Sequence, residues 1–192
     1  MPSCLSPSLP LRLPWRVALV LALSGAGAAL AADAPRLLFA SGPVEVRRSE
    51  GVQPAAVAGT ALAPDDHLAT GPDARVQLVL ADGSRVSVQG NSRVRIAAAA
   101  VGGLDFIEGS VRVLPAPGTR DFVLRTRRAT ARVRGAAFSA AYNADGSVNV
   151  ASEREPVEVC TPGGCVMAGD DNVRVRADSL RPTRTNARAS WR

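Results

Sequence analysis

Lysine is absent from this sequence, and aromatic residues and histidine are scarce. Its 192 residues contain 23 Arg, one His, three Cys and only 4% aromatic residues. Aromatic platforms for single-stranded bases are therefore few, and a net charge of +6 does not demand a nucleic-acid partner. Ala and Val supply most of the 46% apolar residues. We therefore expect one domain whose core of small side chains suits thin, closely spaced β layers.

Catalytic signatures are also missing. No Gly-x-Ser-x-Gly element accompanies His67, the sole imidazole, although it follows Asp65 and Asp66 and could serve as a general base or a ligand. These acids, with Asp73 and Asp82, could hold a divalent cation, but they lack the spacing of a calcium loop. Asp before Gly or Pro commonly serves a turn instead. We predict a variable turn position for His67, and no enzyme activity, metal or cofactor.

The N-terminus has the features of an export signal. Arg12 and Arg16 precede and flank an apolar run at residues 17–23, and Ala29-Leu30-Ala31 supplies small residues for cleavage. The apolar run is too short and too broken for a membrane span, and no later stretch is long and apolar enough. We predict a signal peptide over residues 1–31, cleaved after Ala31. A retained N-terminal anchor is the alternative.

Two cysteines remain after that cleavage. Cys160 and Cys165 flank Thr161-Pro162-Gly163-Gly164, which is strong turn chemistry. In an oxidising compartment we expect a disulfide across a tight hairpin, and the chain-entropy estimate for so small a ring is about 2 kcal/mol. A redox pair and a metal site are the alternatives, but two thiols alone are too few ligands for a metal.

Alternating apolar residues predict an all-β domain. The alternation spans residues 76–80 and 86–88, and Asp82-Gly83 between them is a strong hairpin signal. Similar short runs continue downstream and no helical period of useful length appears. Many short strands at close spacing indicate a sandwich, a barrel or a β-solenoid over residues 32–178. Residues 179–192, Arg-rich and polar, are predicted to be a disordered tail.

Arginine recurs at outward positions of the predicted strands. Because side chains alternate between the faces of a strand, Arg residues beside buried Val should point outward. Stacked strands could then form a basic stripe for an anionic surface or an acidic protein edge. Alternatively, Arg simply solubilises the strand faces and discourages edge pairing. The candidate binding face comprises Arg93, Arg95, Arg112, Arg132 and Arg134.

The order of several motifs resembles the FecR family of bacterial periplasmic domains. The resemblance covers roughly residues 40–160. Asp65 stands where the family usually has Gly, Ala136 replaces Thr, and Arg154-Glu155-Pro156-Val157 replaces Glu-Gly-x-Val. The matching places are Gly42-Pro43-Val44-Glu45-Val46, Gly59 through Gly71, Asp82-Gly83-Ser84, Asn91-Ser92, Gly109-Ser110-Val111-Arg112-Val113 and Gly135-Ala136-Ala137-Phe138.

The resemblance implies a twisted, solenoid-like or sandwich-like β domain. Well-known members are periplasmic parts of sigma-factor regulators that receive a signal from an outer-membrane iron-siderophore transporter. Since a signal peptide leads straight into the β domain here, we expect the sensing or scaffolding half alone. The expected function is a non-enzymatic periplasmic protein-binding and signalling scaffold with a periplasmic or envelope protein as partner, linked to transporter or sigma-regulator signalling. The alternative is an envelope structural module that binds peptidoglycan or an anionic lipid or glycan through its Arg-lined face.

Overall fold

Seventeen β-strands make up the regular structure of the described residues. The computed structural model describes residues 34–48, 50–53, 55–97, 103–119, 121–133, 136–169, 171–176, 178–179 and 181–186, none of which is helical. No helix that could cross a membrane occurs among them. The predicted signal peptide lies outside these residues, as does Arg134.

The strands are short and follow one another closely. The first nine are β1 (Arg36–Ser41), β2 (Val44–Arg48), β3 (Gly51–Gln53), β4 (His67–Thr70), β5 (Arg75–Val79), β6 (Arg85–Val88), β7 (Ser92–Ile96), β8 (Gly103–Glu108) and β9 (Ser110–Leu114). The remaining eight are β10 (Phe122–Arg125), β11 (Thr130–Val133), β12 (Phe138–Tyr142), β13 (Val148–Ser152), β14 (Val157–Thr161), β15 (Gly164–Ala168), β16 (Asn172–Val175) and β17 (Thr183–Thr185).

The chain winds back and forth between two sheets, contributing one to three strands at each visit. The eight-stranded sheet has the order β1-β5-β6-β9-β12-β13-β16-β17, and the nine-stranded sheet has the order β15-β14-β11-β10-β8-β7-β4-β2-β3. Neighbours are antiparallel except β8 and β10, which are parallel. The all-β prediction is confirmed. The sequence pattern allowed a sandwich, a barrel or a β-solenoid. Neither sheet closes into a barrel, and the structure has two open sheets wound like a solenoid.

The core lies between the two sheets and consists mostly of Val, Ala and Leu, as the composition predicted. Four of the few aromatic rings form pairs that bridge the layers. Phe106 on β8 packs against Tyr142 on β12, with ring centroids 4.9 Å apart. Phe122 on β10 packs against Phe138 on β12, with centroids 5.9 Å apart. These pairs join the two sheets into one packed layer structure.

Two Asp-Gly-Ser turns close hairpins in the eight-stranded sheet. The predicted turn at Asp82-Gly83 is confirmed between β5 and β6, where Gly83 has a φ of +81°. The Asp82 carboxylate accepts hydrogen bonds from the Ser84 backbone N–H (3.0 Å) and hydroxyl (2.7 Å). Asp145 and Ser147 repeat this arrangement between β12 and β13. The acids are therefore fixed by local turn bonds.

Crossovers between the sheets meet at a buried polar junction built from Thr70, Ser92 and Gly109. The Thr70 hydroxyl donates to the Gln89 carbonyl (2.6 Å) and accepts from the Ser92 N–H (2.9 Å). The Ser92 hydroxyl in turn accepts from the Ser110 N–H (2.9 Å). Gly109 passes so close to Ser92 that no side chain fits there. The motif residues of the sequence thus fix where the chain changes sheet.

The predicted disulfide is present and staples the hairpin of β14 and β15. Cys160 and Cys165 are direct cross-strand partners, with Cα atoms 4.1 Å apart. The Thr161 hydroxyl donates to the Gly164 carbonyl (3.3 Å) inside the same turn. The hairpin at this edge of the nine-stranded sheet is therefore held by both covalent and hydrogen bonds.

The tail prediction needs a correction. Disorder was expected from residue 179 onward, but β17 (Thr183–Thr185) pairs with β16 as the last strand of its sheet. The Thr183 hydroxyl also donates to the Arg174 carbonyl (3.3 Å). The open edge of β16 supplies backbone partners to a Thr-rich segment that favours extended structure, and this outweighs its polar composition. Residues 187–192 lie outside the described residues.

Candidate functional site

The outer face of the nine-stranded sheet, turned away from the core, carries a row of charged side chains. Each member has a buried strand neighbour, such as Leu68 beside His67 or Leu104 beside Asp105, so the row itself points outward. Cross-strand register aligns it over five strands. The charged row comprises Arg47 on β2, His67 on β4, Arg95 on β7, Asp105 on β8 and Arg125 on β10.

Asp105 is the centre of the charged row. Its carboxylate accepts a hydrogen bond from Arg95 Nε (2.8 Å) and another from Arg95 Nη2. Arg125 Nη1 lies 3.8 Å from Asp105 Oδ1, and Arg95 Nη1 lies 3.5 Å from Asp65 Oδ1. The Asp105 hydrogen bond and charge raise the pKa of Arg95 above its ordinary value. Because the Asp105 side chain is only 17% exposed, this cluster is the least screened part of the face.

Arg93 is also paired, although more weakly. A register shift between Arg93 and Val94 brings Arg93 opposite Glu108, and Arg93 Nη2 lies 3.3 Å from Glu108 Oε1. Both side chains are about half exposed, so solvent screens the pair and its contribution to stability is small. Arg93 and Arg95 thus share the outward face as predicted, but each faces an acid.

Arg112 does not belong to this face. It lies on β9 in the eight-stranded sheet, because the turn at Gly109 carries the chain across to the other layer. There it pairs with Glu153 through two contacts, from Nε (2.5 Å) and Nη2 (2.7 Å). The candidate face must therefore be corrected to Arg93, Arg95 and Arg132 among the described residues. Strand periodicity decides the side of a strand and cannot decide which sheet the strand joins.

The Arg112–Glu153 pair predicts a pH dependence of stability. The hydrogen bond from Arg112 holds the pKa of Glu153 below its ordinary value of 4.5, partly opposed by burial. The ionised carboxylate therefore stabilises the fold above pH 4.5, and this contribution is lost as the pH falls through the lowered folded value. We expect Glu153→Gln to lower the free energy of unfolding by less than about 1 kcal/mol near neutrality, and by nothing in strong acid. Urea titrations across this pH range measure it.

Glu155→Gln is the matched control, because Glu155 is exposed and forms no ion pair within the described part of the chain. Its effect on the free energy of unfolding should be small. A Glu153→Gln effect that is equally large in strong acid would contradict the assignment.

His67 is the first residue of β4, so the predicted turn position is wrong. It lies between Arg47 and Arg95 in register, on the wall of a recess of about 330 Å³ shared with Glu45, Ala69 and Ile107. Its ring forms no hydrogen bond with any residue that the structure describes. Two flanking guanidiniums make this a poor place for a cation.

Asp66, one of the acids that could hold a cation, has structural partners. Asp66 is buried and accepts hydrogen bonds from the Ala63 N–H (2.9 Å) and Arg48 Nε (3.3 Å). Among the described residues, the group of three ligand-type side chains close enough for a metal is Glu158 with Cys160 and Cys165. Since those two sulfurs are bonded to each other, they are not available as thiolates.

Asp65 adopts a left-handed backbone conformation, with a φ of +68°. This is the place where the resemblance expects Gly, so the departure carries backbone strain. We expect Asp65→Gly to stabilise by roughly 0.5 kcal/mol, because relief of strain exceeds the loss of the exposed pair with Arg95. Asp65→Val should instead destabilise by about 1 to 2 kcal/mol, since a β-branched residue fits this region worst. Chemical denaturation of both variants tests this, and a stabilising Val would contradict it.

Comparisons with known proteins agree with this architecture. Residues 66–158 match the family model described as FecR protein. No curated protein matches the sequence. Two crystal structures, at 2.50 and 1.65 Å resolution, of a "putative anti-sigma factor from Parabacteroides distasonis ATCC 8503" are similar in fold. Each has a TM-score of 0.54 and 21% identity over 62% of this chain, which spans 59% of that protein's length.

These findings agree with the motif order in the sequence. The matched segment begins at Asp66, beside the charged row, and runs through the buried junction and both Asp-Gly-Ser turns to Glu158. The fold similarity at 21% identity concerns the architecture alone. Residues 66–158 are therefore similar to a FecR domain.

Proposed function

We propose that this protein is a non-enzymatic periplasmic signalling scaffold that acts by binding another protein. The similarity to a FecR domain supports a regulatory role, and the fold similarity to a putative anti-sigma factor supports a link to sigma-regulator or transporter signalling. The predicted export signal and the disulfide support a location in an oxidising compartment. The bacterial periplasm is such a compartment. The observation that carries the proposal is the pairing of Arg93, Arg95 and Arg125 with acids on the outer face of the nine-stranded sheet.

This pairing of arginines with acids favours a protein partner over a polyanion. Arg93, Arg95 and Arg125 each lie within 4 Å of a carboxylate, so their charge is largely compensated. A surface for lipopolysaccharide or another anionic polymer needs arginines that are free to bind phosphate or carboxylate groups. Protein interfaces instead use a pattern of both signs, which orients the partner and excludes wrong ones.

Site-specific crosslinking in cells tests the proposal. A photo-reactive residue at Ala69, on the outer face of β4, should yield a discrete protein adduct. The control position is Gln77 on β5, on the outer face of the other sheet, which should yield none. Exchanging the charges in Arg95→Asp/Asp105→Arg keeps an internal pair but inverts the pattern offered to the partner. We expect this exchange to abolish the Ala69 adduct.

The competing envelope role gives the opposite result. The purified protein would then be retained on peptidoglycan or on lipopolysaccharide vesicles, and no discrete protein adduct would form at Ala69. Retention that survives the charge exchange but is lost when Arg93 and Arg132 are changed to Glu would contradict the scaffold proposal and support an Arg-lined glycan or lipid surface.

A further inference from the structure

Three arginines surround a recess beside the disulfide, next to the Arg125 end of the charged row. Arg127 and Arg128 lie in the turn between β10 and β11, and Arg132 lies on the outer face of β11. The recess has a volume of about 550 Å³, and Thr130 and the Cys160–Cys165 hairpin form its other walls. It therefore combines a high local positive charge with an open, concave surface.

These arginines differ from Arg93, Arg95 and Arg125 on the same sheet, because they form no ion pair among the described residues. Within the described residues, no carboxylate lies within 4 Å of the guanidinium groups of Arg127, Arg128 or Arg132, whereas Arg93 and Arg95 each have one. Uncompensated guanidiniums keep their donors for an external anion. The positive charge of the recess is thus available to a ligand.

Both walls of the recess are held rigidly. The Thr126 hydroxyl accepts hydrogen bonds from the N–H groups of Ala129 (2.9 Å) and Arg128 (3.3 Å), and the Thr126 N–H donates to the Ala129 carbonyl (2.8 Å). These bonds fix the turn that presents Arg127 and Arg128. The opposite wall is fixed by the disulfide. A preorganised site loses less entropy when a ligand binds.

The recess continues past Arg132 into a second one of about 390 Å³. Arg132 and Glu158 are cross-strand partners and line both recesses, and Asp121, Pro156 and the 43% exposed Met167 line the second. Together the recesses form a groove, the β14 groove, that runs from Thr161 to Pro156. Six residues of extended chain span about 20 Å. One end of the groove is basic, and the other contains two acids, Asp121 and Glu158, and the apolar side chain of Met167.

We propose that the β14 groove binds an extended acidic segment of a partner protein, with carboxylates at Arg127, Arg128 and Arg132. A peptide fits better than a phosphate-rich polymer, because the exposed Met167 offers an apolar contact that a peptide can use and a phosphate-rich polymer cannot. This inference rests on the proposed function, since it assigns the partner's chemistry.

Fluorescence anisotropy with a labelled hexaglutamate peptide tests the groove, with a hexaglutamine peptide as the reference. We expect hexaglutamate to bind more tightly, and Arg127→Glu/Arg128→Glu to weaken its binding by about tenfold or more. The matched control is Arg75→Glu/Arg85→Glu on the other sheet, with the same change in net charge at exposed positions without an ion pair among the described residues. It should change binding by less than about twofold. Glu158→Gln should tighten binding, because it removes an opposing charge.

Equal weakening by both double variants, or equal binding of the two peptides, would overturn the assignment. Displacement of hexaglutamate by lipopolysaccharide vesicles at concentrations where free acidic peptide fails would also overturn it, in favour of a phosphate-bearing surface. The adduct at Ala69 separates the two proposals. If it forms normally in a protein that does not bind hexaglutamate, the groove is wrong and the scaffold stands. If hexaglutamate binds but no adduct forms, the scaffold proposal fails while the groove remains an acidic-peptide site.

Discussion

Gly109→Ala is expected to destabilise the domain by about 4 kcal/mol, because strain and overpacking act at one position. Gly109 has a φ of +90°, a backbone conformation that L side chains rarely adopt. A Cβ built there would lie 2.1 Å from Ser92 Oγ and 2.4 Å from Ser92 Cα. Ser92 cannot retreat without breaking its bonds to Thr70 and Ser110. The collision therefore falls on the junction where the chain changes sheet.

Gly118→Ala is the matched control for this variant. Gly118 has a φ of +83°, but no heavy atom lies within 4 Å of a Cβ built on it. Gly118→Ala should lower the free energy of unfolding by about 1 kcal/mol, because only the backbone strain acts there. Urea unfolding of both variants measures the difference. If the two variants lose equal stability, the close approach to Ser92 is not the reason that glycine is needed at position 109.

Local turn chemistry could be predicted because it depends on few residues. Asp82-Gly83 and the Cys160–Cys165 hairpin are both contained in short segments whose side chains bond their own backbone. A local sequence pattern could not predict which sheet each strand joins, because sheet membership depends on the long-range crossovers at Thr70, Ser92 and Gly109. The parallel pairing of β8 with β10 had no local signal either, because it joins segments that are not consecutive strands of a hairpin.

The candidate face was predictable in outline only. Alternation placed Arg93 and Arg95 outward, but their acidic partners come from β8 and depend on its register with β7. Asp105 could have indicated an acidic partner on this face. It lies between the apolar Leu104 and Phe106, so alternation places its side chain outward as well. The Arg residues of the β10–β11 turn were missed because they lie outside the strand pattern. The structure thus divides the arginines into a compensated set and an uncompensated set.

If both proposals hold, this division lets one face serve two tasks. Compensated pairs such as Arg95–Asp105 present fixed dipoles of both signs, which give orientation rather than large attraction. The uncompensated arginines beside the disulfide supply the long-range attraction to an acidic segment. A partner bound at both would be held by the groove and oriented by the charged row.

The largest expected loss from a core substitution is that of Phe122→Ala, about 3 to 5 kcal/mol. Phe122 is fully buried on β10 and packs on Phe138 of the other sheet, so its removal leaves a cavity between the layers. A core built of Val and Ala has few large side chains that could shift to fill that space. The free energy of unfolding from urea titration measures the loss.

A double-mutant cycle with Phe138→Ala isolates the contact between the rings. Since each single substitution already removes the pair, we expect the double variant to lose less than the sum, by about 1 kcal/mol. Phe39→Ala is the control for loss of an aromatic ring, because Phe39 is 51% exposed and should cost less than about 1 kcal/mol. Strict additivity of the two core substitutions would contradict a direct contact. The two sheets would then be joined by their aliphatic side chains, and the sparse aromatic rings would act only as separate volumes in each layer.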